Sequence, residues 1–117
     1  MNGFYRIDEI NEDYIRFEDG SMITFQHYQD CCEWNYADFE QLDDLARSAM
    51  FDTANLTFEA VEGSGFRFGN KDGRMYFVPC YSVQNGYYSS DIQIFYRRAD
   101  TDYLLEVLTF DANWIDG

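Results

Sequence analysis

Pairs of Asp-Gly or Asn-Gly that separate β-rich runs constrain the fold of this chain more than any other feature. They stand at residues 19–20, 72–73 and 85–86. Such pairs supply the positive-φ residues of tight turns, so each predicts two antiparallel strands joined by a hairpin. Residues 14–17 and 21–27, which flank the first pair, are rich in the Ile, Thr, Phe and Tyr that favour strands. The sequence therefore predicts a sheet built from hairpins.

The segment from residue 36 to residue 50 has a different period. Its apolar residues recur at intervals of three and four, which predicts one helix over 36–50 with Asn35 as its N-cap. Acidic residues are concentrated in the first part of this helix, where the helix dipole favours them. They are Asp38, Glu40, Asp43 and Asp44.

Alternation between apolar and polar residues resumes after residue 50 and predicts further strands. Pro79 places one of them at an edge or a bulge, because proline has no backbone donor. Residues 103–110 are compatible with a strand or a short helix, and their Leu, Val and Tyr content favours the strand. We expect a single α+β domain over residues 1–117, an antiparallel sheet of about six or seven strands with one helix packed on a face.

The charge of the chain limits the classes of molecule that we expect it to bind. Asp and Glu number 22 and Lys and Arg only 8, which gives a net charge of −14. Phosphates and anionic lipids would be repelled, so we expect no direct nucleic-acid binding and no membrane binding. Basic protein surfaces and cations are favoured, although the acidity is also compatible with a purely solubilising role. The odd cysteine count and the lack of a signal-peptide pattern predict a cytoplasmic protein.

A short motif at residues 27–33 concentrates side chains that are capable of chemistry. Zinc needs four ligands, and the chain has neither a C-x-x-C pair nor a second histidine, so we expect no metal and no cofactor. A cysteine nucleophile activated by histidine is the enzyme hypothesis, but flanking carboxylates would raise the thiol pKa. Small, buried, inert thiols are the simpler interpretation. The residues concerned are His27, Asp30, Cys31, Cys32 and Glu33.

A second motif at residues 85–89 combines a turn with two aromatic rings and a hydroxyl. It consists of Asn85, Gly86, Tyr87, Tyr88 and Ser89. The Asn-Gly pair makes the turn, after which the two tyrosines point to opposite faces of a strand. An exposed tyrosine near acidic residues is also typical of a binding anchor. The structural and the functional interpretation both stay open.

These two motifs resemble those of a family of small phage and bacterial domains of unknown function, which pairs H-x-Q-D-C-C-E with a later N-G-Y-Y-S. The resemblance covers about residues 14–96. The chain departs from the family at Cys80, where the family tends to have Trp, and at Gln84, where it tends to have a small residue such as Ser. The resemblance implies a phage, prophage or bacterial cytoplasmic origin and no established reaction.

Three hypotheses follow. The first is a small acidic, non-enzymatic protein of phage or mobile-element type that binds or inhibits a basic host protein, such as a defence or nucleic-acid-handling factor. The second is a pocket for a nucleotide-like small ligand between residues 27–33 and 85–89. The third is an enzyme that uses Cys31 or Cys32 with His27. For the first, the binding residues would be Trp34, Asp38, Glu40, Asp43, Asp44, Tyr87 and Tyr88.

Overall fold

The computed structural model describes residues 3–26, 34–84, 86 and 89–116. The chain is mostly β, with 58% of residues in strands and 8% in helices. Twelve strands in three sheets are found among the described residues. The predicted α+β fold, with about six or seven strands and one packed helix, is therefore wrong.

The elements follow one another along the chain with short connections. The strands are β1 (Phe4–Tyr5), β2 (Ile7–Ile10), β3 (Tyr14–Phe17), β4 (Met22–Gln26), β5 (Trp34–Ala37), β6 (Phe51–Asp52), β7 (Leu56–Val61), β8 (Gly65–Asn70), β9 (Met75–Gln84), β10 (Asp91–Arg97), β11 (Leu105–Asp111) and β12 (Asn113–Asp116). Between β5 and β6 lie a 3-10 turn (Phe39–Gln41) and one short helix, α1 (Asp44–Ser48).

The first five-stranded sheet has the order β11-β10-β4-β3-β2. It contains the hairpin of β3 and β4, whose turn holds Gly20 at a φ of +92°. Ile15, Phe17 and Ile23 are completely buried on one face of this hairpin. The predicted first hairpin is thus confirmed as far as β4 extends, and β11 confirms the strand predicted near the end of the chain.

The second five-stranded sheet is organised around β9, the longest strand among the described residues. The first half of β9 pairs with β8, and its second half pairs with β5 and, in parallel, with β12. Pro79 lies where the pairing with β8 ends, and its carbonyl accepts a hydrogen bond from the backbone nitrogen of Asp38 at 2.8 Å. β7 completes this sheet next to β8, and β1 pairs with β6 in a separate small sheet.

Aromatic rings fill the space between the two large sheets. Phe17 of β3 meets Phe68 of β8 with ring centroids 6.4 Å apart, and Phe66 of β8 lies 6.3 Å from Phe110 of β11. All four rings are almost completely buried. The two sheets therefore pack face to face, and the high aromatic content of the chain supplies their interior.

The predicted helix over residues 36–50 is wrong. Its first residues belong to β5, and Leu42 adopts an extended ψ of 138° that separates the 3-10 turn from α1. Of the apolar residues whose spacing predicted this helix, Phe39, Leu42 and Ala46 are buried, Ala49 is partly buried and Leu45 is exposed. An irregular segment can bury residues at this spacing as well as a helix can, so periodicity alone did not distinguish the two.

Polar side chains explain why the helix is interrupted. The carboxylate of Asp43 accepts a hydrogen bond from the backbone nitrogen of Leu45 at 3.0 Å, which caps α1 and favours a new start at this point. Asn35, the predicted N-cap, is completely buried within β5. No helix among the described residues has the length and apolar character that crossing a membrane requires.

Candidate functional site

β5 presents aromatic rings on its outer face. Asn35 and Ala37 point inward and are buried, so Trp34 and Tyr36 point outward by the alternation of a strand. The ring of Trp34, with 54% of the residue exposed, stacks on Tyr36 at 4.4 Å between centroids. Tyr36 in turn lies 5.6 Å from Tyr81, its register partner on β9. We refer to Trp34, Tyr36 and Tyr81 as the aromatic ladder.

A groove of about 370 Å³ runs beside this ladder. It combines carboxylates with apolar and aromatic surface, and we call it the acidic groove. Its lining residues are Glu12, Asp13, Phe25, Trp34, Tyr36, Ala37, Asp38 and Glu40. The turn between β2 and β3 supplies two of the acids, and the chain after β5 supplies the other two.

The four carboxylates of the acidic groove form no ion pair within the described part of the chain. Other surface acids do find cations: Arg16 pairs with Asp8 at 3.0 Å and with Glu9 at 2.9 Å. Four negative charges beside partly buried rings create a negative potential that an incoming cation would neutralise.

Tyr36 responds to this environment. Burial raises the pKa of its phenol, and the negative charges of Asp38 and of ionised Tyr81 act in the same direction. Gln41 connects the two sides of the site, because its amide donates to a carboxylate oxygen of Asp38 at 2.6 Å and its carbonyl oxygen accepts from the hydroxyl of Tyr81 at 3.5 Å. Because its pKa is raised, the phenol of Tyr36 keeps its proton at neutral pH and can donate a hydrogen bond.

The outer face of β9 is apolar along its whole length. Its inward residues are buried or partly buried, and its outward residues are all partly or largely exposed. We call the outward set the apolar stripe; it consists of Met75, Phe77, Pro79, Tyr81 and Val83. Ile115 of β12 stands in register with Val83 and borders the stripe. Tyr81 belongs to both the stripe and the aromatic ladder.

A buried polar network lies behind this face. The side-chain amide of Gln84 donates to the hydroxyl of Ser82 at 2.7 Å and to the carbonyl oxygen of Ser89 at 3.1 Å. The hydroxyl of Ser82 donates to the side-chain carbonyl of Asn35, whose amide donates to the carbonyl of Asp91 at 3.0 Å. The network therefore joins the start of β5 to the end of β9 and the start of β10.

The strand ends that flank the two sequence motifs lie at the same end of the molecule. The first motif connects β4 to β5, and the second connects β9 to β10. β4 pairs with β10, and β5 pairs with β9, both antiparallel. A second cavity of about 210 Å³ lies at this end and is lined by Gln84, Gly86, Ser90 and Trp114.

The predicted binding residues are only partly brought together. Trp34, Asp38 and Glu40 line the acidic groove. Asp43 instead caps α1 and pairs with Arg74 at 3.4 Å, and Asp44 lies 3.7 Å from Arg47. Most motif residues lie outside the described part of the chain, namely His27, Asp30, Cys31, Cys32, Glu33, Asn85, Tyr87 and Tyr88.

Two motif residues are described. Gly86 adopts a φ of +97°, as an Asn-Gly turn requires, and Ser89 joins the polar network. Sequence reasoning missed Glu12, Asp13, Tyr36 and Tyr81. Of these, Tyr36 was detectable from the alternation of Trp34, Tyr36 and Asp38, whereas the others reach the site through long-range pairing.

The described residues offer little for catalysis. Cys80 is completely buried in β9, and burial raises the pKa of its thiol far above neutrality, so it cannot act as a nucleophile. No group of three or more His, Cys, Asp or Glu side chains in the described ranges is placed to hold a metal ion.

Comparison with known proteins adds no identity. No protein-family model matches the chain, and no curated protein and no solved structure is significantly similar to it. The resemblance to a phage and bacterial family therefore stays a prediction.

Proposed function

We propose that this chain is a non-catalytic protein-binding module that holds a basic segment of its partner in the acidic groove. One observation supports the proposal: four carboxylates that form no ion pair with any of the described residues line the same groove as the half-exposed Trp34. Unpaired acids beside an exposed tryptophan suit a guanidinium or ammonium group, which gains both Coulomb attraction and contact with the ring.

The charge of the whole chain supports the same partner. A net charge of −14 attracts a basic surface over several ångströms and accelerates its association, and the effect weakens as salt screens it. The acidic face could also imitate the phosphates of a nucleic acid. With the phage or mobile-element origin that the resemblance implies, the partner would be a host nucleic-acid-handling or defence protein in the cytoplasm.

The test compares two double variants that change the net charge equally. Glu12→Gln with Glu40→Gln removes two of the four negative charges of the groove, and Asp100→Asn with Asp102→Asn removes two exposed negative charges elsewhere. The probe is a fluorescein-labelled peptide of alternating Arg and Ser, about twelve residues long or roughly 40 Å when extended, followed by fluorescence anisotropy.

We expect the groove variant to bind this Arg-Ser peptide about tenfold more weakly than the native protein, a loss of roughly 1.4 kcal/mol. The control variant should lose less than about threefold. Raising the salt from about 50 mM to about 500 mM should weaken binding to the native protein as well. Equal losses in both variants would show that total charge, and not the groove, attracts the peptide.

The small-ligand hypothesis has one observation in its favour. The cavity lined by Gln84, Gly86, Ser90 and Trp114 includes a residue of the second motif, and its Gln84 directly follows Val83, the register partner of Trp34 at the start of β5. No arginine is among these lining residues, so a neutral planar ligand suits the described surface better than an anionic nucleotide. A native mass spectrum tests this directly, because excess mass that disappears on denaturation would identify a bound molecule, and a bare mass would remove its support.

A further inference from the structure

We infer that the partner is amphipathic, with cations that enter the acidic groove and apolar side chains that cover the apolar stripe of β9. This inference rests on the proposed function and specifies the partner's chemistry. The two surfaces form one footprint, so the partner has to offer an apolar patch bordered by Arg or Lys.

The composition of the stripe is the first argument. In an antiparallel sheet with one face toward solvent, the solvent side of a strand is usually polar. β9 has five consecutive outward positions without a charged or amide side chain, over a length of about 26 Å. Phe77 is 41% exposed and the bordering Ile115 is 39% exposed. An apolar surface of this extent on a strongly acidic chain is typical of an interaction site.

The continuity of the stripe with the groove is the second argument. Tyr81 lies between Pro79 and Val83 on the stripe and also contacts Tyr36, which lines the groove. A ligand that contacts Tyr36 in the groove therefore lies next to Tyr81, which belongs to the stripe. The aromatic ladder is the boundary between the two surfaces. A partner that spans it can make charged contacts in the acidic groove and apolar contacts on the apolar stripe.

Charge decides between the possible occupants. A second copy of this chain would bring another net charge of −14 and the same four groove carboxylates to the interface, so the contact would be strongly repulsive. An anionic membrane or a nucleic acid is opposed for the same reason. A basic protein surface with an apolar patch fits both the groove and the stripe. Its cations neutralise the carboxylates of the groove, and its apolar side chains cover those of the stripe.

The experiment adds a second peptide to the first. It has the same length and arginine count as the Arg-Ser peptide, but leucine replaces serine. The stripe variants are Phe77→Ser and, as a second choice if the first is poorly folded, Ile115→Ser. The control is Tyr103→Ser, whose ring is 68% exposed and lies outside the stripe. Circular dichroism and the thermal midpoint of each variant establish that it is folded.

We expect the Arg-Leu peptide to bind the native protein about tenfold more tightly than the Arg-Ser peptide. Phe77→Ser should remove most of this advantage and leave the affinity for the Arg-Ser peptide unchanged, whereas Tyr103→Ser should change neither. Equal affinities for the two peptides, or an advantage that survives in both stripe variants, would overturn the inference. Failure of both peptides to bind would overturn the proposed function itself. Sedimentation that shows a dimer dissolved by Phe77→Ser would assign the stripe to a second copy instead.

Discussion

The side-chain amide of Asn35 donates a hydrogen bond to the carbonyl oxygen of Ser89 at 3.1 Å, which joins residues 54 positions apart. Asn35 directly follows Trp34 of the aromatic ladder, and Ser89 ends the second sequence motif. Because Asn35 is completely buried, these bonds form away from water and fix the start of β5 against the start of β10. The position of the aromatic ladder therefore depends on a polar side chain in the core.

Replacing Asn35 with leucine should destabilise the protein by about 3 kcal/mol, because buried carbonyl groups would lose their donor while the branched shape of the side chain is kept. The free energy of unfolding in urea measures this loss. Asn55→Leu, at an exposed position, is the control and should change it by less than about 0.5 kcal/mol. An Asn35→Leu protein as stable as the native one would show that the network contributes specificity and not stability.

Gly65 is predicted to be irreplaceable, since it lies against the backbone of β9. A methyl group there would lie 2.1 Å from the carbonyl oxygen of Val78 and 2.9 Å from the Cα of Pro79. We expect Gly65→Ala to cost about 3 kcal/mol of unfolding free energy, since two strands would have to separate. At Gly73 the nearest atom is 3.3 Å away and belongs to a side chain, so Gly73→Ala should cost much less. Similar losses in a urea titration would contradict this ranking.

Tyr96 makes stability depend on alkaline pH. Burial raises the pKa of its phenol to about 12, and its hydroxyl donates to the carbonyl oxygen of Thr53 at 2.7 Å. In the unfolded chain a tyrosine ionises near pH 10. The contribution of Tyr96 to the free energy of unfolding is therefore complete below about pH 10 and declines as the pH rises toward about 12, because the tyrosine of the unfolded chain releases its proton first.

The urea midpoint of the native protein should accordingly fall as the pH rises from about 10 to about 12, and the midpoint of Tyr96→Phe should fall less steeply over the same range. Tyr96→Phe also loses the bond to Thr53 and should begin about 1 kcal/mol less stable at neutral pH. Tyr103→Phe, at an exposed ring, serves as the comparison. Parallel curves for Tyr96→Phe and the native protein would show that another group governs the alkaline loss.

The negative potential of the acidic groove can be measured at Trp34 without any partner. The chain has two tryptophans, so Trp114→Phe leaves Trp34 as the only one. We compare the ratio of the caesium to the iodide quenching constant at low ionic strength. This ratio should be roughly twofold higher for Trp34 than for free tryptophan, because the groove attracts cations and repels anions. Adding Glu12→Gln and Glu40→Gln should reduce this ratio. A ratio equal to that of free tryptophan would mean that solvent screens the groove completely.

The sequence predicted two of its three Gly-turn hairpins correctly, whereas the strands on either side of residues 85–86, β9 and β10, lie in different sheets and form no hairpin. The hairpin of β3 and β4 joins neighbouring segments through a turn whose chemistry is visible in Asp19 and Gly20. The pairing of β5 with β9 has no such marker, since the paired residues Asn35 and Ser82 are 47 positions apart. The apolar spacing of residues 36–50 fits a helix, whereas capping by Asp43 and the burial of Asn35 in a strand favour another structure.

The candidate site was predicted in part for the same reason. Trp34, Asp38 and Glu40 were found because acidic and aromatic residues are close in sequence there. Glu12 and Asp13 come from the turn before β3 and reach the groove only through the packing of the two sheets. The apolar stripe was hidden as well, since residues 77–81 are apolar or aromatic at inward and outward positions alike and show no alternation.

The pairing of β4 with β10 has a kinetic consequence. At the end of this pair, the guanidinium of Arg97 donates to the carbonyl of Gly20, 77 positions earlier in the chain, at 3.1 Å. A loop of this size has to close before the first sheet can be completed, and its entropy is lost before the contacts compensate for it. We therefore expect the hairpins to form early and the complete sandwich to appear only over milliseconds to seconds.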